Sequence, residues 1–200
     1  MLKLHFAPRT ISVAVAIVLE ETNTDYIAVP VNFAAAEQAG AAYRAINPKG
    51  RVPALETAGG ILTETGAILE FVAPQLVPAD PLAAAQMREL MYYLASTMHV
   101  NHAHKLRGAR WVDEESSFAD MTRKVPQTMA ASCDYLEEFL PPQLFGRGCE
   151  MVLSDAYLYV VLTWLPGDGV DVSRYPHIQA FMRNMRARPS VLRIYEKGML

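Results

Sequence analysis

The residues best arranged for chemistry lie in one run from Asn47 to Ala73. It reads Asn-Pro-Lys-Gly-Arg-Val-Pro-Ala-Leu-Glu, a Gly59-Gly60 turn, then Ile-Leu-Thr-Glu-Thr-Gly-Ala-Ile-Leu-Glu-Phe-Val-Ala. The run predicts a loop, a short strand over 54–56, a tight turn, a second strand, and a helix beginning near Glu64. Pro53 cannot donate to a strand ladder, so it belongs at a strand start or edge. A cis bond between Val52 and Pro53 would turn the N–H and C=O of Val52 outward, an edge suited to an extended peptide ligand. Glu64 and Thr65 stand at the helix start, where free N–H groups and the helix dipole favour a carboxylate. Together these features predict a cradle for a small anionic peptide.

A second polar concentration spans Thr97 to Trp111, with His99, His102 and His104 inside it. His99 and His102 share a helix face by their i,i+3 spacing, while His104 points elsewhere. No cysteine or carboxylate accompanies them, so hydrogen bonding at a surface or between domains is expected in preference to a metal site. Arg107, Arg110 and Trp111 close this helix, in positions suited to dipole complementation, packing or a subunit contact. Cys133 falls in a helical pattern as a small hydrophobe, and Cys149 stands alone in a Gly-rich loop. With no Cys-x-x-Cys, neither a metal site nor a dithiol centre is indicated.

The elements that must position these groups change character along the chain. Residues 2–6 predict a strand, 11–21 a buried helix that is apolar almost all round, 26–31 a strand, and 34–46 a helix halted at Asn47-Pro48. With the hairpin and the helix after it, this is an α/β pattern of the thioredoxin-like sort, assigned to residues 1–76. Residues 77–83, with Pro78 and Pro81, read as a linker, and 84–200 as an all-helical domain. Helices are expected over 82–106, 116–140 with a kink or break at Pro126, 154–165, 176–187 and 190–197. Asp155 is expected to satisfy backbone N–H groups at the start of its helix, with Ser154 as the neighbouring hydroxyl.

Composition narrows the function. The 200 residues are 52% hydrophobic, enough for a sizeable core, and the net charge of −3 with no basic block gives no support for a nucleic-acid partner. The first residues read as a strand, not a signal peptide, and no apolar run is long enough to span a bilayer, so a cytoplasmic protein with no membrane partner is expected.

Asn-Pro-x-Gly-x-Val-Pro-Ala-Leu followed by Thr-Glu-Thr-x-Ala-Ile resembles the glutathione-binding half of cytosolic glutathione transferases. The whole length is similar to their bacterial, beta-like members. The resemblance implies an α/β thioredoxin-like domain followed by an all-helical domain, with glutathione as co-substrate and no metal. In its terms Val52, next to Pro53, holds the cysteinyl backbone of glutathione. Glu64 takes the glutamyl amine, the Thr65 hydroxyl and helix-start N–H groups take the glutamyl carboxylate, and Lys49 and Arg51 lie beside the glycyl carboxylate. The family keeps its thiol-activating residue in the loop of residues 8–12, where beta-like members usually carry cysteine; here Ile11 stands in that place, and His5 and Phe6 occupy the early tyrosine region. Thr10 and Ser12 remain as hydroxyl donors, with a helix cap and a first-turn bond to backbone as their respective alternatives. Arg9 is the nearby cation, unless it is a solvated loop charge. His99 matches a histidine that faces the sulfur site.

The implied reaction is attack of the glutathione thiolate on a small, apolar electrophile. Glutathione-dependent isomerisation or dehalogenation needs the same first half of the chain. Ile11 also makes a non-catalytic glutathione-fold binding protein a rival. A two-fold homodimer is implied, with the helix over 82–111 as a contact.

Overall fold

The structure, a computed structural model, describes residues 1–139 and 150–200. Strands β1 (Leu2–Phe6), β2 (Tyr26–Pro30), β3 (Ala54–Thr57) and β4 (Gly60–Thr63) form one sheet in the order β2-β1-β3-β4. β1 runs parallel to β2, with Leu4 opposite Ala28, and antiparallel to β3, with Leu4 opposite Leu55. The β1–β2 ladder gains one bond beyond the strands, from the Val31 N–H to the Phe6 C=O at 2.8 Å.

A parallel pair needs a crossover, and helix α1 (Ser12–Glu21) provides it. Every residue from Ser12 to Leu19 is buried. The cause is packing on all sides: α1 lies against β1 and α3 (Thr65–Val72), and also against α7 (Leu153–Leu162) and α9 (Pro189–Glu196) from the far end of the chain. Its last turn carries Glu20 and Glu21, which a helix dipole disfavours there. Arg193 and Lys197 bind Glu20, with Arg193 Nε at 2.8 Å, and Arg188 and Ser190 bind Glu21. The chain terminus is thereby fastened to the crossover helix.

The segment 34–46 differs from the expected single helix. It folds as a 3-10 turn (Glu37–Ala39) and a short α2 (Ala41–Ile46), separated by Gly40 in an extended conformation. The Asn32 side chain accepts the Ala35 N–H, and the Glu37 carboxylate accepts the Asn32 N–H at 2.7 Å, so local side-chain bonds hold the turn against helix propagation.

Beyond the sheet, α4 (Pro81–Tyr93) starts at a proline capped by Asp80, whose carboxylate accepts the Ala83 N–H at 2.8 Å. A π-helical turn (Leu94–Met98) joins it to α5 (His99–Arg107), so the long helix expected over 82–106 carries a wide turn immediately before His99. Helix α6 (Glu115–Phe139) continues through Pro126 instead of breaking there, and a Cβ added at Gly169 would come 3.3 Å from the proline ring. The expected stop at Pro141-Pro142 and Cys149 lie outside the described residues. α8 (Pro176–Arg186) and α9 complete the helical array around α7, whose ten residues are all buried. The fold is therefore a thioredoxin-like α/β layer followed by helices, and Cys133 is a fully buried core residue.

At the start of α7 the Asp155 carboxylate accepts the Val152 N–H at 2.9 Å, one half of a capping box, while the Asp155 N–H goes to the Val152 C=O at 3.0 Å because the valine side chain has no acceptor. Asp155→Ala is expected to lower the unfolding free energy by about 1–3 kcal/mol, measured as a shift of the urea midpoint at unchanged slope. An unshifted midpoint would count against this capping role.

Candidate active site

The loop from Asn47 to Val52 is set by a clamp on one carbonyl. Tyr43 Oη and Asn47 Nδ2 both donate to the Arg51 C=O, at 2.7 and 2.6 Å. Burial pushes the Tyr43 phenol up to about 12, so it remains a donor at neutral pH. Gly50 has φ of 60°, and a Cβ there would come 2.8 Å from the Gln38 carbonyl oxygen, so only glycine fits. The loop ends in a cis Val52–Pro53 bond, the isomer that the sequence predicts. β3 pairs with β1 from Ala54 onward, and among the described residues no backbone–backbone bond reaches Val52. Its N–H and C=O form a short edge while its side chain packs with Ala7, Val31 and Tyr43.

Following β4, Glu64 adopts φ of 72°, in the half of backbone space that side chains avoid, and α3 begins at Thr65 with no side chain capping it. Residues held this way cost of order 1–3 kcal/mol and concentrate at functional sites. Glu64 is exposed, whereas Thr65 is buried. Lys49 Nζ ion-pairs with Glu64 and also donates to Thr63 Oγ1 at 2.8 Å. Lys49 therefore answers the glutamate in this state and is not displayed as a free cation beside Arg51.

The loop of residues 8–12 is closed on itself. Thr10 Oγ1 and Ser12 Oγ are 2.6 Å apart, and both lie within hydrogen-bond distance of the Ala7 C=O, at 2.8 and 3.2 Å. The Ala7 N–H donates to Ser12 Oγ at 3.1 Å. Two hydroxyl hydrogens serve two acceptors: one joins the hydroxyls and the other goes to Ala7. Ser12 is wholly buried, and Ile11, also buried, occupies the cap position of α1 with no side-chain bond. The geometry thus gives both hydroxyls a loop-holding task, which runs against their sequence-based assignment as thiolate donors.

Arg9, read from sequence as a nearby cation or a solvated loop charge, contributes mainly through its backbone. Its side chain is exposed, while its backbone has φ of 59° and is bonded on both sides: its N–H to the Met199 C=O at 2.8 Å, its C=O from Trp164 Nε1 at 2.9 Å. Trp164 and Met199 were not singled out by sequence. A buried indole must find an acceptor, but nothing local indicates one 155 positions away.

Trp164 connects this loop to the histidines. His102 stacks on it at 4.3 Å between ring centres, and His99 tilts against it at 5.0 Å. His102 Nδ1 also contacts the buried Asp168 carboxylate at 2.7 Å, while His104 packs edge-on to Trp111. The i,i+3 pair shares one partner and the third histidine is elsewhere; among the described residues no group of three ligands gathers for a metal. Burial and then the charges of Arg107, His102, Arg51 and Arg110 push His99 down to about 4, so its imidazole is neutral at pH 7.

A family profile described as the N-terminal domain of glutathione S-transferase matches residues 2–74. The chain is 29% identical over 198 residues to glutathione S-transferase GstA of Escherichia coli O157:H7, covering 95% of each protein. It is 30% identical over 192 residues to a maleylacetoacetate isomerase of Pseudomonas aeruginosa, covering 90% of this chain and 89% of that one. Among solved structures, a glutathione transferase homologue from Sulfitobacter with bound glutathione aligns at a TM-score of 0.97 and 56% identity, over 100% of this chain and 99% of that one.

The low pKa of His99 has a consequence for stability. Its folded pKa of about 4 lies below the ordinary 6.5, so folding favours the neutral ring. This contribution is complete above pH 6.5 and is lost as pH falls from 6.5 toward 4, because the unfolded chain takes up a proton that the folded one does not. At about 1.4 kcal/mol per pKa unit, His99→Gln should flatten the acid loss of stability by up to about 3 kcal/mol near pH 4. Urea titrations of both proteins at pH 7 and 4.5 check this; equal losses would mean that His99 titrates as a free histidine.

Proposed function

The chain belongs to the glutathione S-transferase family, and we propose that it binds glutathione along the Val52–Thr65 edge and directs its thiolate at a small electrophile beside α5. The observation that carries this reading is the unpaired Val52 backbone edge leading to an uncapped α3 start with Glu64 at φ of 72°. An extended tripeptide can pair its cysteinyl backbone with Val52. Its glutamyl carboxylate can then accept from the first N–H groups of α3 and the Thr65 hydroxyl. Glu64 would exchange the Lys49 ammonium for the glutamyl amine, which frees Lys49 to join Arg51 at the glycyl carboxylate.

Thiolate stabilisation is assigned to a neutral donor and to backbone. His99, uncharged at neutral pH, can present an N–H to sulfur. The start of α1 adds the Ile11 N–H, which has no bond among the described residues, and the positive end of its dipole, without drawing on the Thr10 and Ser12 hydrogens. The protein is further proposed to act in the cytoplasm as a homodimer, for which exposed Phe71, Leu82 and Tyr92 supply apolar surface. A non-catalytic binding protein is the second reading, favoured specifically by Ile11 in the donor position.

The double variant Glu64→Ala/Thr65→Ala should weaken glutathione binding by at least about tenfold, since charge-assisted hydrogen bonds contribute about 1.5–3 kcal/mol each. Calorimetry giving the parental affinity would remove the ligand from this edge. For the thiolate, Thr10→Val and Ser12→Ala should lower stability by about 1–2 kcal/mol while leaving the pH midpoint of 1-chloro-2,4-dinitrobenzene conjugation in place. His99→Ala should lower turnover at near-parental glutathione affinity. An upward shift of the midpoint in either hydroxyl variant would return the donor role to that residue, and binding without turnover in the parent would favour the non-catalytic reading.

A further inference from the structure

Three arginines beside this cleft lack the carboxylate partners that Arg88, Arg188 and Arg193 possess. Arg88 makes two bonds of 2.8 Å to Glu70, Arg193 binds Glu20 at 2.8 Å, and Arg188 binds Glu21. By contrast, Arg51, Arg107 and Arg110 have no carboxylate or hydrogen-bond acceptor for their side chains among the described residues. Arg51 and Arg110 line a cavity of about 460 Å³ together with Arg44 and Lys49, and no acidic residue lines it. Arg107, at the end of α5, is half-buried, and the charges acting on it are those of Arg110 and Arg51, both cations. All three arginines also act on His99.

Like charges gathered beside a partly desolvated guanidinium raise the energy of the empty site, and a bound anion removes that cost. Bound as proposed, glutathione supplies one carboxylate at this end, its glycyl group, and Lys49 and Arg51 suffice for it. Arg107 and Arg110 then remain unanswered, at the end of the helix that carries His99 and in the turn after it. Guanidinium groups favour planar, bidentate oxyanions, so a carboxylate fits better than a diffuse anion. We propose that Arg107 and Arg110 bind the carboxylate of an anionic electrophile, making the second substrate of this protein an organic acid and not the apolar compound expected from sequence. This rests on the glutathione reading and deepens it.

The test compares 4-chloro-3,5-dinitrobenzoate with its methyl ester, each rate divided by the uncatalysed rate with glutathione. In both, the thiolate forms a C–S bond at the chlorinated carbon, and chloride leaves with the C–Cl electron pair. The parent should prefer the acid by about tenfold or more in kcat/KM, chiefly through a lower KM, the range expected of charge-assisted hydrogen bonds. Arg107→Gln and Arg110→Gln should each reduce that preference severalfold, and Arg107→Lys should retain more of it than Arg107→Gln. Equal preference in the parent, or variants that weaken acid and ester alike, overturns the proposal. A rise confined to the KM of glutathione overturns it too and assigns the arginines to the glycyl carboxylate. Calorimetry with the two S-aryl glutathione conjugates decides the matter without turnover. Tighter binding of the acid conjugate, lost in Arg107→Gln, supports the anion site even if the parent conjugates nothing, in which case only the catalytic reading fails. Equal affinities overturn the anion site alone, and binding of neither conjugate removes both.

Discussion

The all-round burial of α1 is the constraint from which the remaining architecture follows. A helix with no exposed face cannot be finished by a four-stranded sheet, which covers only one side of it. The other side is closed by α7 and α9, so the α/β layer and the helical array share one core. The sharing is also electrostatic. Glu20 and Glu21 at the α1 C-terminus meet Arg188, Arg193 and Lys197, cations that the dipole favours at that end. The helix is therefore fixed at its C-terminal end by ion pairs and along its length by apolar contact.

Its N-terminal end is fixed by hydrogen bonds, and there the packing constraint becomes a functional one. Arg9 holds a backbone conformation that costs a non-glycine residue free energy, and Met199 and Trp164 supply the two bonds that secure it. Trp164 also carries His99 and His102 on its faces. One indole thus joins the loop before α1 to the histidine helix, and Arg9 joins that loop to the C-terminal segment. The Asp168 carboxylate, held by His102 and near Lys105, steadies the far side of the same stack.

What could be read from sequence follows from the range of each interaction. The 47–65 run was legible because its constraints are local: a proline at a strand entry, a glycine forced to positive φ, a helix start without a cap. The buried character of α1 was legible from its apolar period, and the Asp155 cap from three-residue spacing. The break at Gly40 was hidden because the alanine-rich composition favours helix, while the Asn32 and Glu37 bonds that oppose it depend on the turn already being formed. The Lys49–Glu64 pair, the Arg9–Trp164 bond and the convergence of Arg51 with Arg107 and Arg110 join residues far apart in sequence, and no periodicity encodes them. Ser12 stayed divided between a donor and a backbone-bonded hydroxyl for a different reason. Sequence identifies a hydroxyl but not whether its hydrogen is already committed.

That distinction gives Ile11 its significance. In a loop whose side chain supplied the donor, the residue before α1 would have to reach into the cleft. Here it turns inward, only 5% exposed, and adds to the core that holds α1. The two hydroxyls flanking it close a ring with Ala7, so the loop spends its polar groups on its own shape. A loop built this way is rigid: the N–H groups of Arg9, Thr10 and Ser12 are already bonded within the protein, and among the described residues that of Ile11 is left at the positive end of a helix. Under the proposed function, such a site stabilises a thiolate by preorganised dipoles and a neutral imidazole. No side chain then has to change its protonation state between pH 5 and 8.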